Sequence, residues 1–432
     1  METVAQLQAK LQRLLEVESE RAGRDSGFIQ RQRQVTAKGF VSGLVLGWLS
    51  NAQATLDELC QSMAQYGARL SPQGLAQRFS KEAAECLRQV LVASMGLVSE
   101  GGMKASSALL EQFNGVYLVD STQVALPHEW AQVWPGGANQ HQSRAGLKVQ
   151  VAWDYHGGGL QLSLQPACQP DVKLPAEVLP VGALRLQDAG YFKVEALQAY
   201  ADAGVFYLCR IPAKVRLADA DHRLRSLSAF LTEQATPEFD GQVHLTAKEL
   251  PCRLLAVRVP DTVLAARRLR LRATAKRKGK PVSAEALALA QWTIIITNLP
   301  PHRLTLDQAL ALLRLRWQIE MLFKLWKQHA QLEVSRSCDP NRILCEIYAK
   351  LIGLIIQHAL LLHTASDIPN RSLVKCAHRI RQAVSLLGFV LWLDVTLFTQ
   401  VIDQLRLRCT HHAHLDTRRA KPSHAQILAR FA

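Results

Sequence analysis

The stretch Leu313-Arg314-Leu315-Arg316-Trp317-Gln318-Ile319-Glu320-Met321-Leu322-Phe323-Lys324-Leu325-Trp326-Lys327 decides how this chain is read. Spacing and side-chain chemistry point there to a reaction. If the segment is helical, Arg316, Glu320, Lys324 and Lys327 recur at i, i+4, i+8 and i+11, so cations flank one carboxylate along a single face. Such a face can hold a metal through Glu320 and phosphates through its neighbours. The plainer alternative is a surface helix with ordinary ion pairs, and spacing alone does not separate the two. Thr305 with Gln308 forms a capping-box pattern upstream, which gives this helix a defined start.

Composition narrows the partners. The 432 residues, 48% of them apolar, suffice for two or three domains with substantial cores. Against 36 acids stand 51 lysines and arginines, a formal net charge of +15, which favours a polyanion, nucleic acid before an anionic membrane surface. The nine cysteines are scattered and never form CxxC, so they read as reduced and mostly buried rather than as a disulfide scaffold or zinc finger. Met1 to Gly23 is polar, with Leu7, Leu11, Leu14 and Leu15 on one helical stripe, unlike a signal peptide. The apolar run from Leu351 to Leu362 carries Gln357 and His358 and is too short to span a bilayer. The expectation is a cytoplasmic, nucleoid-associated protein with no membrane partner.

Working outward, residues 1–104 read as a helical, DNA-binding region. Thr55 with Glu58 caps one helix, Gly67 ends it, and Ser71-Pro72 starts a second carrying Gln73, Gln77 and Arg78, an outline compatible with a helix-turn-helix but shared by any helical hairpin. Arg21, Arg24, Arg31, Arg33 and Lys38 add a basic segment, by default a solvated face. Residues 105–213 change to short apolar runs. Val116–Val119 is a strand delivering Asp120 at its end, and Leu147–Trp153 and Leu160–Pro166 form a hairpin through Asp154 and Gly157-Gly158-Gly159. Val181–Leu186 delivers Asp188, Phe192–Ala201 suits a helix, and Val205–Arg210 a fifth strand. Strands in hairpin order followed by strands alternating with helices predict a mixed α/β sheet covered by helices.

Residues 214–290 form a strand-rich basic insertion, with strands at Gln242–Thr246 and Arg253–Val259. It closes on Arg267, Arg268, Arg270, Arg272, Lys276, Arg277, Lys278 and Lys280 with no acid among them, a run that is either mobile or bound to phosphates. Residues 291–370 return to core through the strand Trp292–Asn298 and carry the glutamate helix and an apolar helix from Arg342 to His363. Residues 371–432 add a helical region from Lys375 to Leu407 and a tail rich in His411, His412, His414 and His424, with Arg418, Arg419 and Lys421, read as a solvated basic tail rather than a metal site.

Two strand-end aspartates and one helix-borne glutamate suffice for phosphoryl transfer. Mg²⁺ prefers oxygen ligands and keeps waters, so a few carboxylates can hold two ions about 4 Å apart, one for the attacking and one for the leaving oxygen of an in-line displacement. Asp120, Asp188 and Glu320 are the candidate metal ligands and catalytic residues, and Mn²⁺ is expected to substitute. Each has a simpler reading: the aspartates as turn or cap residues, Glu320 as an ion-pair partner of Arg316 and Lys324, and Asp154 as a rival strand-end acid best left to the hairpin.

These residues carry a resemblance. The chain resembles the DDE transposases of bacterial insertion sequences marked by the Y-(2)-R-(3)-E-(6)-K signature, which falls on Leu313, Arg316, Glu320 and Lys327, three of the four positions matching. Val119-Asp120-Ser121-Thr122, Asp188-Ala189-Gly190-Tyr191-Phe192 and Thr297-Asn298-Leu299-Pro300 resemble the other blocks of that family, in order. The resemblance implies an RNase H-like catalytic domain interrupted by the insertion, metal held by Asp120, Asp188 and Glu320, and DNA phosphates contacted by Arg316 and Lys327. It further implies binding of terminal inverted repeats, metal-dependent cleavage and strand transfer, and a homodimer on DNA. Lys324 shares the face without a firm role, and Arg210 is a phosphate-contact candidate on position alone, an ion pair being the alternative. Leu313 departs from the usual tyrosine. It is the one feature favouring a catalytically silent DNA-binding derivative, and an RNase H-fold nuclease without strand transfer is the remaining alternative.

Overall fold

The computed structural model describes residues 3–31, 35–98, 107–137, 144–171, 178–218, 223–246, 250–277, 279, 281–368, 370–416 and 422–431. Ten strands make one mixed sheet: β1 (Val116–Leu126), β2 (Ala145–Asp154), β3 (Leu160–Pro166), β4 (Leu184–Gln187), β5 (Phe206–Cys209), β6 (Arg216–Ala218), β7 (Leu224–Ser226), β8 (Glu238–Leu245), β9 (Leu250–Arg258) and β10 (Trp292–Thr297). Their spatial order is β3-β2-β1-β4-β5-β10-β9-β8-β6-β7. The run β3-β2-β1 is antiparallel, β1-β4-β5 is parallel, and the pairs from β5 onward are antiparallel again. This mixed sheet, with helices before and after it, is the architecture expected of an RNase H-like fold.

The β2–β3 connection turns where glycine permits it. Gly158 takes φ +81°, and Asp154 closes the turn by donating its N–H to Gly159 O at 2.8 Å. The Asp154 carboxylate accepts from the N–H groups of Val116 (3.0 Å) and His156 (3.1 Å), so it serves as the hairpin residue it was expected to be.

β1 differs from its expected length. It runs eleven residues to Leu126 because β2 stays paired along it, so Asp120 lies inside the strand instead of at its end. Only the parallel partner stops early, at Val119 opposite Gln187. In the insertion, β6 to β9 extend the same sheet outward from β10, whose second edge pairs with β9 from Trp292↔Arg258 to Thr297↔Arg253. An unpaired β10 would expose its backbone groups, and β9 satisfies them.

The Thr297-Asn298-Leu299-Pro300 block acts as a clasp. Asn298 accepts from Tyr207 N–H (2.9 Å) and donates to Val205 O (3.0 Å), fastening the start of β5. The buried Arg253 grips Asp240 through two bonds (2.6 and 2.5 Å) and Leu304 O (2.6 Å), so the insertion is tied to the segment that leads into the glutamate helix.

Pro340–Ala365 is the axis of the helical part, packed against Ala37–Ser50, Lys81–Ser94, Leu373–Val390 and Val395–His412. It is longer than the apolar run suggested, long and apolar enough to cross a membrane by length and composition, and 94% of its most apolar window is buried inside the protein. Close approach shapes this body: a Cβ on Gly43 would meet Met63 Cγ at 2.2 Å. The helical region from Lys375 splits into two helices at Leu391–Asp394.

Several local expectations change. Leu56–Ala64 has its capping box, but the second helix of the hairpin is only Pro72–Ala76, leaving Gln77 at its C-cap and Arg78 beyond it. Arg21 pairs with Glu18, and Lys38 pairs with Glu16 (2.7 Å) and lies 3.8 Å over the Trp392 ring, so these cations serve the fold; Arg33 lies outside the described residues. The tail returns to the protein, with Ile427 and Leu428 buried and the His424 ring 6.0 Å from Tyr155; Arg418, Arg419 and Lys421 lie outside the described residues. Burial pushes the His424 and His358 imidazoles down to about 4. Seven cysteines are buried, and Cys168 and Cys338 are exposed.

Candidate metal and phosphate site

Register assembles the first part of the site. In the parallel half of the sheet Val119 pairs with Gln187 and Gln187 with Cys209, so the next residues of the three strands, Asp120, Asp188 and Arg210, lie side by side at its carboxyl edge. Carboxyl edges of parallel strands are where open α/β sheets present their functional groups.

The glutamate arrives on a broken helix. Leu306–Leu315 begins with the expected capping box at Thr305 and Gln308. Trp317–Lys324 follows after a break at Arg316, and the wider turn Leu325–His329 is π-helical. Leu315, Ile319, Leu322, Leu325 and Trp326 are buried in the main core, which leaves Arg316 and Glu320 facing the strands. The π-helical turn changes the angular phase after Lys324, so the expected single face ends before Lys327. Lys327 instead donates to Gln123 O of β1 (2.7 Å) and pairs with Glu333 (2.6 Å). Lys324 is exposed, and Leu313 packs its apolar side chain against the core where a tyrosine was expected.

Arg316 bridges the acids. Its guanidinium reaches Asp120 Oδ2 at 3.4 Å and Glu320 Oε1 at 2.5 Å, joining β1 to the glutamate helix across 196 residues of sequence. Burial pushes the Asp120 carboxyl up to about 6; the Ser121 N–H (2.8 Å) and Arg316 pull it down, while Asp188 and Glu320 push it up. Asp188 and Glu320 are thus near enough to act on Asp120, an environment in which negative charge is gathered. Arg210 at the exit of β5 is exposed along one side, and its pKa is lowered by partial burial first and by Arg316 second, against the pull of Asp188 and Glu320.

The donor set suits a hard divalent cation, being carboxylate oxygen throughout. Among the described residues no three His, Cys, Asp or Glu side chains form a ready-made metal cluster. The Arg316 guanidinium supplies the positive charge between Asp120 and Glu320, so a divalent ion there requires Arg316 to swing away. Asp120, Asp188 and Glu320 thus fit such an ion in donor chemistry, with Arg316 as the counterion of Asp120 and Glu320 here.

Behind Asp120 stands a group of residues that motif reading passed over. Ser121 points to the opposite face of β1, where its Oγ donates to Asp171 Oδ1 at 2.9 Å. Lys148 of β2, only 4% exposed, donates to the same oxygen at 2.9 Å and to Gln169 O. The signal available in sequence was a lysine inside the apolar strand Ala145–Asp154, where an unpaired charge is costly.

Comparison with known proteins identifies the family. The family described as the transposase DDE domain matches residues 111–356, more than half of the chain and the span within which all three acids lie. The chain is 26% identical over 368 residues to the transposase for insertion sequence element IS231E of Bacillus thuringiensis subsp. finitimus, covering 78% of this chain and 75% of that protein. It is 24% identical over 375 residues to the transposase for insertion sequence element IS1151 of Clostridium perfringens, covering 81% and 79%. A shorter match, 33% identical over 122 residues, relates it to the putative transposase InsL for insertion sequence element IS186A of Escherichia coli (strain K12), covering 28% of this chain and 33% of that protein.

Proposed function

This chain belongs to the DDE transposases of insertion sequences, and from that premise we propose that it binds the terminal inverted repeats of its own element, cleaves DNA there and joins the freed 3′-hydroxyl to target DNA. DNA is its partner and a divalent metal its family's cofactor. The observation that carries the reading is the alignment of Asp120 and Asp188 across the parallel register, with Glu320 brought to them through Arg316. In the proposed site Asp120, Asp188 and Glu320 hold two Mg²⁺ ions, for which Mn²⁺ can substitute. When bound, the ions activate the attacking oxygen and stabilise the leaving one during in-line displacement at phosphorus.

The protein's own groups supply the rest. Arg316, paired here with Asp120 and Glu320, has a planar guanidinium that would hold a DNA phosphate through two parallel hydrogen bonds. Arg210, beside Asp188 and exposed along one side, holds a second phosphate. Lys327 and Lys324 extend the contact along the glutamate helix, Lys327 by exchanging its bonds to Gln123 and Glu333 for phosphate. Two protomers hold two ends together.

The test is nicking of duplexes carrying the element's ends. Asp120→Asn, Asp188→Asn and Glu320→Gln should each abolish nicking while binding survives, and unchanged nicking in any of the three would sink the assignment. A second reading, a silent DNA-binding derivative, draws on Leu313, whose half-buried apolar side chain packs against the core. Protein that binds the repeats yet takes up no Mn²⁺ would favour it. Nicking without strand transfer would instead indicate a nuclease.

A further inference from the structure

The expectation of a mobile or phosphate-bound cationic run resolves into an ordered helix, Asp261–Arg277, with Lys278 and Lys280 outside the described residues. None of its seventeen residues is buried, and its single acid, Asp261, lies in the first turn. Arg267 docks it: the guanidinium donates to the carbonyls of Ala290 (3.3 Å) and Trp292 (2.7 Å) and to Thr293 Oγ1 (2.9 Å). Leu264, Arg267, Arg268, Leu271 and Ala275 are the half-buried positions, clustered on one side of the axis, and Arg270, Arg272, Lys276 and Arg277 are exposed on the other. Among the described residues none of these four makes an ion pair.

We propose that this outward face, carrying Arg270, Arg272, Lys276 and Arg277, docks the phosphate backbone of duplex DNA without regard to base sequence. The identity of the polyanion rests on the transposase reading; the surface does not. Between the cations lie Ala266, Leu269 and Ala273, small or apolar residues that let a backbone approach and offer no hydrogen bonds to base edges. The helix is about 25 Å long, against about 34 Å for one turn of duplex. Its apolar residues are scattered around the axis with Leu269 exposed, so it lacks the continuous apolar face by which a basic helix would lie on a membrane.

The patch also leads to the acids. Arg267 is anchored at the start of β10, which pairs with the end of β5 at Ile296↔Cys209, and Arg210 follows Cys209 beside Asp188. Arg267, Arg210 and Arg316 thus form a cationic line from the outer helix to the site, close enough that, beyond the dominant burial, Arg210 lowers the pKa of Arg267 and Arg316 that of Arg210.

The experiment is fluorescence anisotropy of the full-length chain carrying Asp120→Asn, in EDTA, on a 30-base-pair duplex of arbitrary sequence at 50 to 200 mM salt. Removing four phosphate contacts flattens the slope of log K against log salt by about 3.6. The combination Arg270→Gln, Arg272→Gln, Lys276→Gln and Arg277→Gln should therefore lose roughly 100-fold less affinity than its parent across that range. Replacing the three arginines by lysine should keep the parental slope, since a point charge suffices for phosphate. An unchanged slope in a glutamine variant with native thermal unfolding overturns the proposal, as does equal loss in the lysine variant. So does a parental preference for vesicles of anionic lipid or for duplex RNA over the DNA. If instead the metal site is misassigned, nicking survives Asp120→Asn while this slope still changes, so the two failures are distinguishable.

Discussion

Removing the charge of Asp120 should stabilise the metal-free protein even as it abolishes nicking. The carboxyl is 24% exposed and its pKa is raised to about 6 from the ordinary aspartate value of 3.8, with burial the largest cause. Because the folded value is the higher one, the native state holds a proton that the unfolded chain releases as pH rises. The group favours the fold least above about pH 6, where the penalty reaches about 3 kcal/mol, and imposes none below about pH 4. Asp120→Asn removes the penalty and keeps an oxygen for the Ser121 N–H, at the cost of the 3.4 Å contact with Arg316. Its advantage over wild type, measured by urea denaturation in EDTA, should grow by about 1.5 kcal/mol between pH 5 and pH 8. Mg²⁺ should then offset most of the variant's advantage, because a cation at 100 times its Kd adds about 2.7 kcal/mol to a protein that binds it only when folded. A variant no more stable than wild type at pH 8, or a difference independent of pH, would refute the reasoning that strain at this site is electrostatic.

Two further outcomes probe the scaffold. Lys350, 2% exposed, pairs with the buried Glu346 (2.7 Å) and donates to Gln331 O (2.9 Å) and Val334 O (2.8 Å), so Lys350→Met should cost about 3–5 kcal/mol in urea denaturation by stranding a buried carboxylate. Adding Glu346→Leu should recover much of that loss, and a single-variant cost under about 1 kcal/mol would show the pair to be solvated. Asp154→Ala should cost about 1–3 kcal/mol by orphaning the Val116 and His156 N–H groups, while leaving nicking per folded molecule unchanged; loss of nicking at full stability would give Asp154 a chemical role.

The strands and caps were legible because their causes are local. Short apolar runs marked β1, β2 and β3, Thr305 with Gln308 marked a helix start, and Gly157-Gly158-Gly159 marked a turn, each within a few residues of chain. The misreadings share the opposite cause. β1 outlasted its apolar core because β2 pairs with it to Leu126, and the tail turned back onto the protein where the half-buried His424 meets Tyr155. The face from Arg316 to Lys327 was broken by a π-helical turn that i, i+4 spacing does not announce.

For the site itself, sequence alone determined the inventory: three acids in order, each beside an apolar run or on a capped helix, with cations at fixed spacings around the last. Residue type and short-range spacing are properties of the chain, so they can be read without a fold. Only the tertiary structure decided that Asp120, Asp188 and Arg210 fall on one row and that Arg316 bridges Asp120 and Glu320. Strand register and helix docking are set by packing between segments more than a hundred residues apart, and a one-residue slip of β4 against β1 would turn Asp188 to the other face.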